Sequence, residues 1–368
     1  MTKEDRLERI KALGIIAWSW LGIITLVSVV LGLIYSIHTV LMPFIYALVF
    51  VYILRPGVDL LEKKGLPRTL SLILSYLGLL LVLILLSMYV GPILFKESNG
   101  FIKRFPEYLT VVNGYLNDFI KQHPYLQGDQ ATNFLNGFSK SFQTFLQKAA
   151  LSVPSVTATF FGSLANFVLA PIIAFYILKD TNRIKQTLRD MIPAPYRIEG
   201  MHIVKKIDLI VGGFLKGQAL VALSVGVLSG ITLSVLGVDY AILLGFLIGL
   251  FNIIPYLGPV IGGALAVIIA LGTSWKLALI VIAALVIVQQ VDSILISPRI
   301  MSQQVNLHPA LVIFALLAGG SILGFIGMLI AIPIAAVCKA LYLHFRERES
   351  ESRPGGPDIQ ELQPTIER

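Results

Sequence analysis

Long apolar runs separated by short charged segments are the feature that most limits how this chain can fold. A membrane-spanning helix needs about 20 predominantly apolar residues. Five runs reach that length, namely Leu13–Ile37, Thr69–Phe95, Val156–Leu178, Leu209–Leu236 and Trp275–Ile296. Hydrophobic residues make up 56% of the 368 residues and charged residues 14%, which is more apolar surface than one or two water-soluble cores can bury. The sequence therefore predicts an all-α polytopic membrane protein and excludes a cytosolic enzyme and a disordered chain.

Three further apolar stretches are short or interrupted. Leu41–Leu54 is bounded by Pro43 and by the Arg55-Pro56 pair, and we interpret it as a short second span. The other two contain Pro or Gly clusters, which remove a helical hydrogen bond or lower helix stability and should break the helix. They are Tyr240–Leu271, broken at Asn252-Ile-Ile-Pro-Tyr-Leu-Gly-Pro259, and Pro309–Leu343, broken at Gly319-Gly-Ser-Ile-Leu-Gly-Phe-Ile-Gly327. The count becomes about eight transmembrane or re-entrant helical segments.

Two arrangements of the interrupted stretches fit the sequence. Each can form a helical hairpin, one dipping in from the external face and one from the cytoplasmic face, if Trp275 lies outside and Arg299 inside. Unwound backbone survives at membrane depth only where protein or a watery cavity receives it, and opposed broken helices mark substrate sites in secondary transporters. Alternatively, each stretch crosses the membrane once with a kink.

Basic residues in the loops predict the orientation. Lys and Arg are concentrated in 55–68, in 179–208 and at both ends of the chain, and the positive-inside rule assigns such segments to the cytoplasm. Both termini are then cytoplasmic and 96–150 is external. The phenylalanines at 134, 138, 142 and 145 have helical spacing, so this segment packs on itself, on a neighbouring subunit or, alternatively, on the lipid surface.

These boundaries divide the chain into four parts. We expect N-terminal membrane helices, an external amphipathic helical domain, a membrane transport core with two broken helices and a disordered cytoplasmic tail. Their limits are 1–95, 96–150, 151–345 and 346–368.

Sequence signals of enzymes and metal sites are absent. There is no G-x-x-x-x-G-K-[ST] loop, no H-E-x-x-H, no G-x-S-x-G and no Cys/His cluster with metal spacing. We therefore expect neither an enzyme nor a cofactor. The net charge of +8 sits in loops beside apolar runs, so the expected partner is the lipid bilayer and not nucleic acid.

Asp292 is the sharpest candidate residue. It follows Gln289 and Gln290 near the end of an apolar run, and a carboxylate at bilayer depth costs roughly 2.5–3.5 kcal/mol on insertion scales. One interpretation is an interfacial carboxylate that pairs with Arg299 or with water. The other is a proton- or cation-linked carboxylate, or a ligand contact, beside the two glutamines.

The breaks supply the other candidates. Asn252 precedes Pro255 and is either a helix cap or a contact for a solute or cation, together with carbonyls that the break frees. The complete set of predicted pathway residues is Asp292, Gln289, Gln290, Asn252, Pro255, Gly258, Gln218, Gly320 and Gly324. Close helix approach is predicted where G-x-x-x-G pairs occur, at Gly213/Gly217, Gly226/Gly230, Gly245/Gly249, Gly258/Gly262 and Gly320/Gly324.

Several motifs resemble one family of transporters. They are Pro171-Ile-Ile-Ala-Phe-Tyr-Ile-Leu-Lys-Asp180, Gly217-Gln218, Phe251-Asn-Ile-Ile-Pro-Tyr-Leu-Gly-Pro259, Gln290-Val-Asp292 with Ser297-Pro298, and His308-Pro309 through Ile332-Pro333. In this order they are similar to the AI-2E family, also known as the autoinducer-2 exporter or PerM-like permease family, over about residues 10–345. The resemblance implies an inner-membrane, oligomeric transporter of about eight helical segments with an external domain between the third and fourth.

The resemblance also sets the functional expectations. Family members are linked to quorum-signal export and to sodium or lithium/proton antiport, and they often carry Glu where this chain has Asp292. We expect a secondary transporter that exports a small polar molecule, similar to autoinducer-2, coupled to a proton or sodium gradient. The alternatives are a Na⁺(Li⁺)/H⁺ antiporter, or a passive channel or envelope scaffold without coupled transport. The expected partners are a small polar solute or monovalent cation and further copies of the chain.

Overall fold

The computed structural model describes residues 38–122, 164–301 and 307–351, with isolated positions between 14 and 36 and between 137 and 144. The predicted first span Leu13–Ile37, the start of the span from Val156, the phenylalanines at 134–145 and the tail beyond 351 lie outside this part or almost entirely outside it. Every regular element in the described part is helical. The helices are α1 His38–Lys63, α2 Arg68–Tyr89, α3 Gly91–Gln122, α4 Leu164–Lys179, α5 Thr181–Met191, α6 Arg197–Val235, α7 Ala241–Phe251, α8 Leu257–Thr273, α9 Trp275–Val291 and α10 Pro309–Glu351.

Within residues 38–122, 164–301 and 307–351, five helical segments are long and apolar enough to cross a membrane: Met42–Lys63, Arg68–Tyr89, Ala194–Val235, Trp275–Ile300 and Pro309–His344. Shorter apolar helices are Leu169–Lys179, Ala241–Phe251 and Leu257–Thr273. Large apolar side chains are exposed along the spanning helices; in α2, for example, Leu77, Leu80, Leu81 and Leu86 are each more than half exposed. Such a surface suits hydrocarbon and not water, so the chain is an integral membrane protein, as predicted.

The second predicted span is longer than expected. Pro56 does not end it, since α1 continues from His38 to Lys63 with both Pro43 and Pro56 inside. The side chains before Pro56 have distant partners, because Tyr52 and Arg55 both donate hydrogen bonds to Asp208 of α6. These contacts with α6 keep the chain helical through Pro56, although a proline inside a helix normally breaks or kinks it.

The basic segment 179–208 is likewise not a plain loop. It contains α5, and α6 already begins at Arg197. In the last turn of α4, the carbonyl of Leu178 accepts a hydrogen bond from Nη2 of Arg68, at the start of α2, at 2.6 Å. A guanidinium there satisfies a terminal carbonyl and offsets the negative end of the α4 dipole.

Glycines bring α6 and α7 into backbone contact. A methyl group added at Gly245 would lie 2.6 Å from the nitrogen of Gly230, and one added at Gly226 would lie 2.9 Å from the Cα of Gly249. Two of the predicted G-x-x-x-G pairs therefore pack against each other. Side chains of α6, α7, α8 and α9 close a buried core around this contact, including Val225, Leu243, Leu265 and Val281.

Helix α3 packs against the loop that joins α6 to α7. Tyr240 has a left-handed φ of 59°, and its ring packs over Gly100 and edge-to-face on Phe101 at 5.9 Å. The hydroxyl of Tyr108 donates to Asp239 at 3.2 Å, while its ring lies against Gly272 at the end of α8. One helix thus contacts both ends of the α7–α8 unit.

Candidate functional site

Helices α7 and α8 form a helical hairpin. The chain breaks between Phe251 and Leu257, as the Asn252–Pro259 motif predicts, and α8 returns along α7. A methyl group at Gly258 would meet the Cβ of Asn252 at 2.7 Å, and one at Gly262 would meet the Cα of Ile248 at 2.9 Å. Helix α7 has 11 residues and is about 16 Å long, about half of the thickness of a bilayer core.

Helix α10 also folds back on itself. Gly324 has φ 60° and ψ −139°, which no helix contains. On either side of it, Gly319 and Gly327 are in backbone contact, and Gly320 packs against the side chain of Met328. Residues eight apart in a continuous helix would be about 12 Å apart along its axis, so residues 309–323 and 325–351 are two arms of a second hairpin. Pro333 lies inside the second arm without breaking it.

Both hairpins contribute to one buried cluster. Ile254, at the break of the first hairpin, belongs to the same cluster as Leu316 and Leu329, one from each arm of the second. Its other members are Ile332 of the second hairpin, Tyr52 of α1, and Phe214 and Leu215 of α6. The long helix α6 therefore carries the side chains on which the two interrupted segments come together.

The polar contact at this place joins Gln218 to Asn252. Both residues are buried, with exposed fractions of 3% and 4%. The Gln218 side-chain amide donates to the backbone carbonyl of Asn252 at 2.5 Å. Asn252 follows the last residue of α7, where carbonyls lack partners within the helix. Gln218 thus satisfies a carbonyl that the break exposes, inside an otherwise apolar environment.

Asp292 occupies a separate point. It begins a π-helical turn, Asp292–Ile296, between α9 and the last turn, Ser297–Ile300; such turns are frequent at functional sites. Asp292 is 6% exposed, and its carboxylate accepts a hydrogen bond from the Ser297 hydroxyl at 2.9 Å. Within residues 164–301 it makes no ion pair with Arg299, which is exposed. The pairing with Arg299, one form of the interfacial interpretation, is not formed, because the π turn directs the carboxylate to Ser297.

The segment after Asp292 reaches the Gln218 region. Met301 packs on Gly217, where an added methyl group would lie 3.0 Å from the Met301 Cγ. The structure thus brings Gln218, Asn252 and Gly258 together and places the end of the Asp292 segment beside them. Gln289 contributes its carbonyl to the Ser293 hydroxyl at 2.8 Å, and Gln290 is exposed.

The remaining predicted residues lie in the hairpins. Pro255 is half-buried in the first break, and Gly320 and Gly324 lie at the turn of the second hairpin, with Gly324 exposed. In the described ranges, no three His, Cys, Asp or Glu side chains lie close enough together to hold a metal ion.

A polar network between α1 and α6 escaped the sequence analysis. Asp208 accepts the Tyr52 hydroxyl at 2.9 Å and both of its oxygens accept Arg55 Nη1, at 2.9 and 2.8 Å. The Tyr52 ring lies on Gly212, where an added methyl group would be 2.6 Å away. The available signal was an arginine and an aspartate at the edges of apolar runs, but residues 153 apart give no local pattern that pairs them.

The relatives that comparison with known proteins finds include proteins named as transport proteins or permeases. "Putative transport protein YueF" of Bacillus subtilis is 35% identical over 313 residues, which is 84% of this chain and 85% of that protein. "Putative transport protein YrrI" of the same species is 31% identical over 319 residues, 86% of this chain and 89% of that protein. "Putative permease PerM" of Escherichia coli is 24% identical over 320 residues, covering 84% and 88%.

The family model described as "AI-2E family transporter" matches residues 23–347. This range contains the first hairpin, the second hairpin except for the last four residues of its second arm, the Gln218–Asn252 contact and Asp292. The chain therefore belongs to the AI-2E family of transporters.

Proposed function

We propose that the chain is a secondary transporter that moves a small polar solute along a path between its two helical hairpins. The observation that carries this proposal is the contact of the first break with α6 and with both arms of the second hairpin, beside the bond from Gln218 to the carbonyl of Asn252. Half-length helices in lipid are favourable only where protein or a hydrated cavity receives their unwound ends. Contact between two interrupted helical segments is the arrangement by which many transporters form a site near the membrane midplane.

In this proposal the solute contacts the first break. Gln218 and Asn252 provide amide and carbonyl groups that both donate and accept hydrogen bonds. Gly258 leaves room for the backbone there, whereas in the second hairpin Gly320 leaves room for the Met328 side chain and Gly324 provides the positive φ of the turn. A solute that replaces the Gln218–Asn252 bond with its own would release the first hairpin from α6, which supplies a physical link between binding and movement.

Coupling is assigned to Asp292. Among the described residues, it is the one carboxylate that is buried. A carboxylate inside the membrane is costly unless it binds a proton, a cation or a donor, and Ser297 provides a single donor. Protonation or Na⁺ binding at Asp292, beside Gln289 and Gln290, would therefore drive export of the solute. The same observation favours the second candidate function, Na⁺(Li⁺)/H⁺ antiport without an organic solute.

The proposed arrangement follows the loop charges. Both termini are cytoplasmic in the inner membrane, about eight segments span or re-enter the bilayer, and 96–150 forms an external domain. The parts keep the limits 1–95, 96–150, 151–345 and 346–368. Several copies associate, and the apolar surfaces of the described helices face lipid or one another.

Reconstitution tests the coupling. We would measure fluxes of Na⁺, Li⁺ and a panel of small polar solutes, including autoinducer-2, in proteoliposomes with an imposed proton or sodium gradient. Asp292→Asn should abolish gradient-driven flux, whereas Asp190→Asn, which removes an exposed carboxylate on α5, should leave it intact. Wild-type fluxes in Asp292→Asn across the whole panel would exclude coupling through Asp292. Unsaturated flux after collapse of the gradient would indicate a passive channel.

Cysteine accessibility tests the hairpins. With the single Cys338 replaced by Ser, cysteines at Lys276 and at Arg299 would be labelled with a membrane-impermeant maleimide. Hairpins predict that Lys276 is labelled from outside and Arg299 from the cytoplasmic side. Reversed sides would contradict hairpins that enter from these two faces of the membrane.

A further inference from the structure

Helix α5 presents an apolar face that nothing in the described part of the chain covers. It begins two residues after α4 ends, and residues 182–191 are all exposed. Ile184, Leu188 and Met191 follow the i, i+4, i+7 spacing of one helical face and are 39%, 38% and 75% exposed. An amphipathic helix directly after an apolar helix is typical of a segment that lies in the membrane interface.

A cleft lies in the angle between α4 and α5. Its volume is about 520 Å³, within the range of sites that hold small organic ligands. The α4 wall and the α5 wall are apolar, and an acidic and a basic side chain stand where the two helices join. The apolar lining includes Ile173, Ile177, Ile184 and Leu188, and the charged side chains at the junction are Asp180 and Arg183. None of them belongs to either hairpin, so the cleft is distinct from the proposed solute path.

The chemistry of the cleft matches a particular amphiphile. Four basic side chains against two acidic ones lie in residues 179–190, which favours a phosphate. Among the described residues Arg183 makes no ion pair, so its guanidinium is available for phosphate oxygens. Asp180 repels a phosphate but accepts hydrogen bonds from hydroxyl or ammonium groups. Glycerol and ethanolamine headgroups provide such donors, whereas the quaternary ammonium of choline has none.

We propose that this cleft binds a phospholipid whose headgroup carries hydrogen-bond donors. Its phosphate lies against Arg183, its glycerol or ethanolamine headgroup donates to Asp180, and one acyl chain lies along Ile177, Ile184 and Leu188. The occupant anchors α5 beside α4 and covers the apolar face that the described protein leaves open. A second copy of the chain would cover the apolar walls but would not need Arg183.

Photo-cross-linking of the full-length protein tests this site. Phosphatidylcholine vesicles would contain a trace of a probe with a diazirine on its acyl chain and a glycerol, ethanolamine or choline headgroup. Labelling of 173–188 would be mapped by mass spectrometry. Glycerol and ethanolamine probes should label this segment more than the choline probe, and Arg183→Gln should lower that labelling about fivefold. Arg189→Gln removes the same charge on α5 but lies outside the lining, and should change it little.

A second variant separates headgroup recognition from surface charge. Asp180→Ala should keep the labelling but remove the preference for the glycerol and ethanolamine probes over the choline probe. Arg183→Lys should recover part of the labelling that Arg183→Gln loses. The site is overturned if the three probes label 173–188 equally, if Arg189→Gln has the same effect as Arg183→Gln, or if 173–188 cross-links to protein and excludes lipid. Should Arg183→Gln fail to fold, the comparison of the three headgroups on the wild type still decides.

Discussion

The Glu97 carboxylate of α3 accepts a hydrogen bond from the backbone N–H of Leu243 at 2.7 Å. Leu243 lies in the first turn of α7, whose N–H groups have no partners within the helix. Tyr240, the residue before α7, makes no side-chain capping bond. Glu97 therefore caps α7 from a different helix and places a negative charge at the positive end of its dipole. Through this contact, α3 holds the base of the first hairpin.

This cap predicts a pH-dependent stability. Burial raises the pKa of the Glu97 carboxyl above its usual value of 4.5, and the bond from Leu243 opposes part of that shift. A raised pKa means that the folded protein keeps the proton after the unfolded chain has released it, so stability falls as pH rises from the unfolded pKa through the folded one. Glu97→Gln keeps an acceptor for Leu243 but does not titrate.

Thermal unfolding in detergent across that pH window would measure the difference. Wild type and Glu97→Gln should agree at low pH, and wild type should lose stability relative to the variant as pH rises. Glu107→Gln, an exposed position on α3, should show no such divergence. A wild-type curve parallel to that of Glu97→Gln throughout would contradict the prediction.

Removing the Gln218 donor should destabilise the first hairpin. Gln218→Leu leaves the Asn252 carbonyl without its partner and should lower the free energy of unfolding by about 1 kcal/mol. The measurement is detergent-induced unfolding in bicelles. Gln290→Leu makes the same chemical change at an exposed position and should be neutral. Equal effects of both substitutions would mean that the Gln218–Asn252 hydrogen bond does not contribute to the free energy of unfolding.

Packing of α6 on α7 predicts a position-specific cost for a single methyl group. In Gly245→Ala the new Cβ meets backbone atoms of Gly230 and the carbonyl of Gly226, so the helices must separate, at about 1–3 kcal/mol. Gly213→Ala on α6 meets nothing within 4 Å and should be neutral or stabilising, since Ala is the better helix former. The same unfolding assay compares them, and a stable Gly245→Ala would disprove the backbone contact.

The Arg55–Asp208 pair should show strong energetic coupling. Arg55 Nη1 lies 2.8 Å from Asp208 Oδ2, with side-chain exposures of 28% and 34%. A double-mutant cycle with alanine at both positions should give about 1.5–3 kcal/mol, the range for hydrogen bonds to charged groups. The cycle of Arg55 with Asp59 is the internal control. That pair is 3.8 Å apart and Asp59 is half exposed, so its coupling should stay below about 1 kcal/mol. Similar coupling energies for both cycles would contradict the prediction that Arg55 is coupled more strongly to Asp208 than to Asp59.

Local chemistry predicted a large part of this structure. Apolar run lengths identified the helical membrane class, and the Asn252–Pro259 and Gly319–Gly327 motifs located both breaks. These predictions succeed because helix propensity and proline geometry act over a few neighbouring residues. The same short-range logic was wrong at Pro56, where the helix continues, because it cannot register the contacts that Tyr52 and Arg55 make with α6.

The partners of the polar residues were decided by tertiary structure. Hydropathy along the chain is enough to place Gln218, Asn252 and Asp292 in or beside apolar segments, where a polar group needs a partner. Only the folded chain decided that Gln218 binds a carbonyl 34 residues away, and that Asp292 binds Ser297 and not Arg299. The fold-back of both interrupted stretches into hairpins was also a tertiary outcome. A break fixes where a helix ends, whereas the direction in which the chain continues depends on the glycine surfaces that it packs against.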